Sequence, residues 1–93
     1  MVIISQDKTM VLNFENIETI EIGNPLENND GKFKILCDTT SDNQYTIAEY
    51  KTEERAKEVL QEIIKAYREY RTAECDGYTD VLQETAVFEM QIE

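Results

Sequence analysis

The residues of this chain best suited to chemistry are its carboxylates: 20 Asp and Glu stand against nine Lys and Arg in 93 residues, and there is no His. Without histidine the chain lacks the commonest general base near neutral pH, the usual nitrogen ligand for zinc, and any Ser-His or Cys-His nucleophile pair. At this density of acids, two carboxylates at any chosen spacing arise by chance, so a pair in sequence carries almost no weight for acid/base or magnesium chemistry. One arrangement has a catalytic look, Asp38 followed by Glu49, Tyr50 and Lys51, the D…ExK pattern of metal-dependent nucleases. If two strands pair there with residue 38 opposite 45, Glu49 faces Lys34 and lies about four residues, ~13 Å, from Asp38. That is too far to share a metal, and a cross-strand Lys34–Glu49 ion pair is the expectation.

Other motifs thin out in the same way. Asn28, Asn29, Asp30 and Gly31 begin like a calcium loop, but the remaining ligand positions and the closing Glu are missing, so a turn is expected. The glycines at 23, 31 and 77 are isolated and form no phosphate-cradling loop. Cys75 sits between Glu74 and Asp76, whose charges disfavour a thiolate, and Cys37 alternates with Phe33 and Ile35 as a core residue would. The two cysteines are far apart and in no CxxC spacing, which reads as reduced thiols. No enzyme, cofactor or metal site is expected.

The position of the charge says more than its formal total of −11. Residues 1–22 carry Asp7, Glu15, Glu18 and Glu21 against Lys8 alone, whereas 53–71 balance five Glu with five Lys or Arg. Residues 72–93 hold Glu74, Asp76, Asp80, Glu84, Glu89 and Glu93 with no basic residue. Six uncompensated acids repel one another in a compact fold, repel nucleic acid and anionic membranes, and steer a basic partner towards them. These six are the candidate partner-binding residues, with a solvated face as the plain alternative.

Several elements must position them. Residues 2–5 read as a strand, 6–8 as a turn, and Met10, Leu12 and Phe14 as a half-buried strand of period two. The phase slips at Asn16, since Ile17 is odd while Ile20 and Ile22 are even, which calls for a bulge or a single turn. Residues 23–31 are a loop by composition. Residues 32–38 and 45–50 form two further strands about the polar turn 39–44, with Phe33, Ile35, Cys37, Ala48 and Tyr50 on one face. On that register Leu36, Tyr45 and Ile47 share the other face, either covered within the domain or left as an oligomer-forming patch.

Thr52 is an N-cap, with Glu53 and Glu54 suiting the first turn of a helix. Ala56, Val59, Leu60, Ile63, Ile64, Tyr67 and Tyr70 recur at helical spacing as one buried stripe, to about Arg71, with Arg68 and Arg71 in the last turn. Residues 72–85 are expected as loop, although 78–84 are ambiguous. Ala86, Phe88, Met90 and Ile92 alternate with Val87, Glu89, Gln91 and Glu93, a strand over 86–92 that either returns to its own sheet or pairs with another copy. The fold expected is a single α+β domain over 1–93: a twisted, mainly antiparallel sheet of about five strands with one long helix packed on a face, PH-like in outline.

The opening V-I-I-S-Q-D, the helix start T-E-E-R-A-K-E-V-L-Q-E-I and the closing V-F-E-M resemble small proteins of phages and other mobile elements of low-GC Gram-positive bacteria. That resemblance implies a context, interference with a host process, and carries no functional residue with it. Size and acidity are also similar to those of many anti-CRISPR and anti-restriction proteins. With no basic, apolar leader in residues 1–7 and no apolar run of membrane-spanning length, the cytoplasm of a bacterial host is the expected compartment. The function expected is a non-catalytic inhibitor that binds a basic, nucleic-acid-binding host protein, with no direct nucleic-acid or membrane partner. The alternative is a homo-oligomer, such as a homodimer, acting as a structural protein or as a sponge for a nucleotide signal, for which Lys32, Lys34 and Lys51 are the local cations.

Overall fold

A computed structural model describes residues 1–23, 31–76 and 86–93, the side chains of 73–76 excepted. The order of elements is β1 (Val2–Ile4), β2 (Val11–Asn13), β3 (Ile17–Ile22), β4 (Phe33–Thr39), β5 (Gln44–Tyr50), α1 (Glu53–Asp76) and β6 (Val87–Glu89). Among the described residues the class is α+β with one α-helix, as the periodicities imply. The described strands do not form one five-stranded sheet: they form two of three strands each, ordered β2-β1-β6 and β3-β4-β5.

The reason lies at the phase slip. Residues Phe14–Asn16 make one 3-10 turn, capped by Asn13, whose Oδ1 accepts from the Glu15 N–H at 3.0 Å. Past that turn and a bulge between Ile17 and Thr19, the chain pairs with β4 instead of continuing beside β1. The first sheet begins as the expected hairpin, antiparallel with Ile3 opposite Leu12. It is completed by β6, which returns to its own chain and runs parallel to β1, Ile3 opposite Phe88.

In the second sheet β4 and β5 keep the expected register over Phe33↔Tyr50, Lys34↔Glu49 and Ile35↔Ala48. Between Ile35 and Leu36 the pairing slips by one, giving Leu36↔Thr46, Cys37↔Tyr45 and Asp38↔Gln44, so Ile47 is an extra residue without a partner in β4. A one-residue slip reverses which face every later side chain takes. The single register that put Leu36, Tyr45 and Ile47 together is therefore corrected: Tyr45 shares the core face with buried Cys37, and Ile47 is only 1% exposed. Leu36 alone stays on the outer face.

Helix α1 starts where its capping residues place it, with the Arg55 N–H donating to Thr52 Oγ1 at 3.2 Å. It runs to Asp76, beyond the expected end near Arg71, because residues 72–76 hold no Gly or Pro and the first breaker is Gly77. Arg68 and Arg71 thus fall short of the last turn. Ala56, Val59 and Ile63 are fully buried against Ile3, Ile35, Cys37, Ile47, Ala48, Tyr50 and Met90, with Leu60, Tyr67 and Tyr70 packed partly on that core. Ile64, expected on the buried stripe, is instead exposed. Phe14 stacks on Tyr67 with ring centroids 4.3 Å apart, fastening the 3-10 turn to the helix. Burying these apolar surfaces is the main favourable term holding helix and sheets together. No helix among the described residues is long and apolar enough to cross a membrane.

Candidate functional site

The turn 5–10 organises the region around the sequence's final acids. Asp7 Oδ1 accepts from the Ser5 hydroxyl at 2.7 Å, the Thr9 hydroxyl at 2.7 Å and the Thr9 N–H at 3.0 Å. Those donors, the Thr9 hydroxyl first and the Ser5 hydroxyl next, hold the Asp7 carboxyl below its ordinary pKa. The turn places Lys8 at φ 62°, in the left-handed region, and delivers Gln6 to the edge of the second sheet.

Gln6 joins the two sheets. Its backbone N–H donates to the carbonyl of bulged Ile47 at 2.8 Å. Its side-chain amide accepts from the Glu49 N–H at 2.9 Å and places Nε2 3.0, 3.1 and 2.8 Å from the carbonyl oxygens of Glu49, Gln91 and Ile92. Residues 90–93 are held further by the Met90 N–H donating to Ile4 O at 3.0 Å, the Tyr50 hydroxyl to Gln91 O at 2.7 Å, and Arg55 Nε to Glu93 O at 2.9 Å. Burial raises the Tyr50 pKa, partly opposed by the Arg55 charge, so at neutral pH the phenol keeps the proton it donates.

Of the six candidate acids, the structure brings two to this region. Glu89 is exposed on β6, and exposed Glu93 closes the clasped segment; with Lys8 they line a groove of about 410 Å³. Glu74 and Asp76 fall in the last turns of α1 with side chains outside the description, and Asp80 and Glu84 lie outside the described residues. So do loop residues 24–30, including Asn28, Asn29 and Asp30.

Several described cations are paired with carboxylates between positions 49 and 62. Lys32 and Lys34 each lie 3.7 Å from Glu49, Arg55 lies 3.1 and 3.4 Å from Glu58 and Glu62, and Lys57 lies 3.0 Å from Glu53. Exposed Glu18, Glu21 and Glu89 stand in none of the ion pairs of the described residues. The pairing of Lys34 with Glu49 is the one expected from sequence. Asp38 is occupied otherwise, accepting from Thr19 Oγ1 at 2.8 Å and from Gln44 Nε2 at 3.1 Å. Among the described residues no cluster of His, Cys, Asp or Glu could hold a metal ion.

A second cleft, of about 420 Å³, opens at the start of α1 and gathers Lys32, Lys51 and Arg55 around Gln6, Tyr50 and Thr52, with Glu49 and Glu93 also on its wall. Sequence reasoning offered Lys32 and Lys51 for such a pocket and missed Arg55 and Gln6. The signal for Gln6 was weak, a polar residue in a hairpin turn, because its partners lie more than 40 positions away. No family model, no curated protein and no solved structure matches this chain.

Proposed function

We propose that this chain is a non-catalytic binding protein that sets its uncompensated carboxylates against the basic groove of a nucleic-acid-binding host protein, inhibiting it as phage-type anti-CRISPR and anti-restriction proteins do. The observation that carries this reading is the placement of charge: the ion pairs of the described residues draw on Glu49, Glu53, Glu58 and Glu62, while Glu18, Glu21 and Glu89 face solvent and stand in none of them. Such a surface attracts a basic partner over a screening length of about 8 Å at physiological salt. Phosphate mimicry would be sparse, since alternate residues of a strand stand ~7 Å apart and the phosphates of one DNA strand about half that. On this reading the chain acts in the bacterial cytoplasm and its fold is PH-like in outline. The test is capture of partners from a host lysate, followed by titration of the purified partner at about 50 and 500 mM salt. Affinity falling steeply with salt, and falling again in the E18Q/E21Q/E89Q protein, supports the reading. Equal affinity at both salts sinks it.

A second reading, a sponge for a small anionic molecule, is favoured by the cleft that gathers Lys32, Lys51 and Arg55. Calorimetric titration with ADP and with adenosine separates it from the first: binding of ADP alone, lost in Lys51→Glu, is its signature, and no heat with either ligand removes it. An oligomeric form of this reading would need a face other than Leu36, Tyr45 and Ile47.

A further inference from the structure

The outer face of the first sheet is apolar where a lone solvated sheet would be polar. Strand alternation puts Leu12, Ile3 and Phe88 in one row towards the core. The flanking rows, Asn13–Val2–Val87 and Val11–Ile4–Glu89, point the other way. Val11 is 65% exposed and Val87 48%, with Val2 and Ile4 half-buried between them. Four aliphatic side chains therefore sit side by side with Glu89 at one corner, over roughly 10 Å by 7 Å between outer Cα positions.

We propose that this face grips a basic amphipathic segment of the partner, Val2, Ile4, Val11 and Val87 seating its apolar stripe while Glu89 meets a flanking Lys or Arg. The inference rests on the acidic-surface reading above and deepens it by naming the contact. Charge selects the occupant. A second copy would set −11 against −11 and Glu89 close to its own counterpart, whereas a basic segment meets complementary charge. Size agrees, since the patch is far below the roughly 800 Å² per partner of a stable interface. It suits the dry centre of a larger contact whose rim is ionic.

The probe is a synthetic helical peptide of about 14 residues with Leu on one stripe and Lys elsewhere, against a control with Gln replacing each Leu. Binding to the full chain is measured by fluorescence anisotropy at two salt concentrations. Amide shifts of the ¹⁵N-labelled wild-type chain locate the site whether or not any variant folds. The expected result is about tenfold tighter binding of the Leu peptide, lost in the V11S/V87S protein while the Gln peptide is unaffected, with shifts centred on β1, β2 and β6. Unchanged affinity in V11S/V87S, or shifts centred elsewhere, overturns the proposal and leaves the acidic surface intact if binding still weakens with salt. Binding of both peptides indifferent to salt removes the acidic reading itself. A wild-type dimer in sedimentation equilibrium that V11S/V87S converts to monomer makes the occupant a second copy and likewise overturns it.

Discussion

Gln6 acts on Glu49 as a neighbouring strand would: its side-chain oxygen accepts from the Glu49 N–H at 2.9 Å and its side-chain nitrogen donates to the Glu49 carbonyl at 3.0 Å. One amide thus satisfies both backbone groups of a residue on the edge of β5, and the same nitrogen reaches the carbonyls of Gln91 and Ile92. Replacing it leaves part-buried donors and acceptors without partners, a loss of the kind that costs about 1–3 kcal/mol. We expect Gln6→Ala to lower Tm by roughly 10 °C. Gln6→Glu, unable to donate to three carbonyls, should do at least as much harm near neutral pH. Thermal unfolding followed by circular dichroism checks both, and a Gln6→Ala protein as stable as wild type would show that the clasp adds nothing.

The turn at Asp7 links stability to pH with a definite sign. Its carboxyl titrates below the ordinary 3.8 because the hydroxyls of Thr9 and Ser5 and the Thr9 N–H bind the ionised form. A lowered folded-state pKa contributes stability that is present above the unfolded value and is lost as pH falls through the folded one. Asp7→Asn should therefore be less stable than wild type near neutrality, with the gap closing as pH falls below the ordinary 3.8 and through the lower folded-state value. Urea midpoints measured from neutral to acid pH test this, and parallel curves for the two proteins would contradict it.

Cys37 is fully buried, and burial first, the neighbouring Asp38 charge second, raise its thiol pKa. A protonated, enclosed thiol is a poor nucleophile. In the Cys75→Ser protein, iodoacetamide at pH ~8 should leave Cys37 unmodified in the native state and alkylate it once denaturant is added. Mass spectrometry reads the result, and prompt native-state modification would place Cys37 outside the core.

The bulge at Ile47 makes a prediction that a straight register would not. Leu36→Lys, on the outer face, should cost no more than about 1 kcal/mol, whereas Ile47→Lys puts a cation into the core and should cost more than about 3 kcal/mol. Urea denaturation of the two variants separates the cases. Equal costs would mean that both side chains share one environment.

Local regularities were legible in the residues themselves. The Thr52 cap and the apolar spacing from Ala56 to Ile63 need only helical geometry, and the phase slip at Asn16 needs only strand alternation. The Lys34–Glu49 pair followed from a hairpin register that holds over its first three residue pairs. What escaped depends on a single residue changing phase far from its partners. The extra residue at Ile47 turned Tyr45 and Ile47 to the core, and the exposure of Ile64 depends on how the helix rolls on the sheets beneath it.

By itself, then, the sequence determined composition, strand and helix type, the absence of histidine chemistry and the uneven placement of acids, since each is a property of neighbouring residues. Only the tertiary structure decided that the strands divide into two sheets, that β6 lies parallel to β1, and that Gln6 ties the sheets to residues 90–93. It alone set Val11 and Val87 beside Glu89 on one face. Those relations join positions that are distant in the chain, and they are chosen by which surfaces bury most area and satisfy most backbone groups at once, a competition no local pattern records.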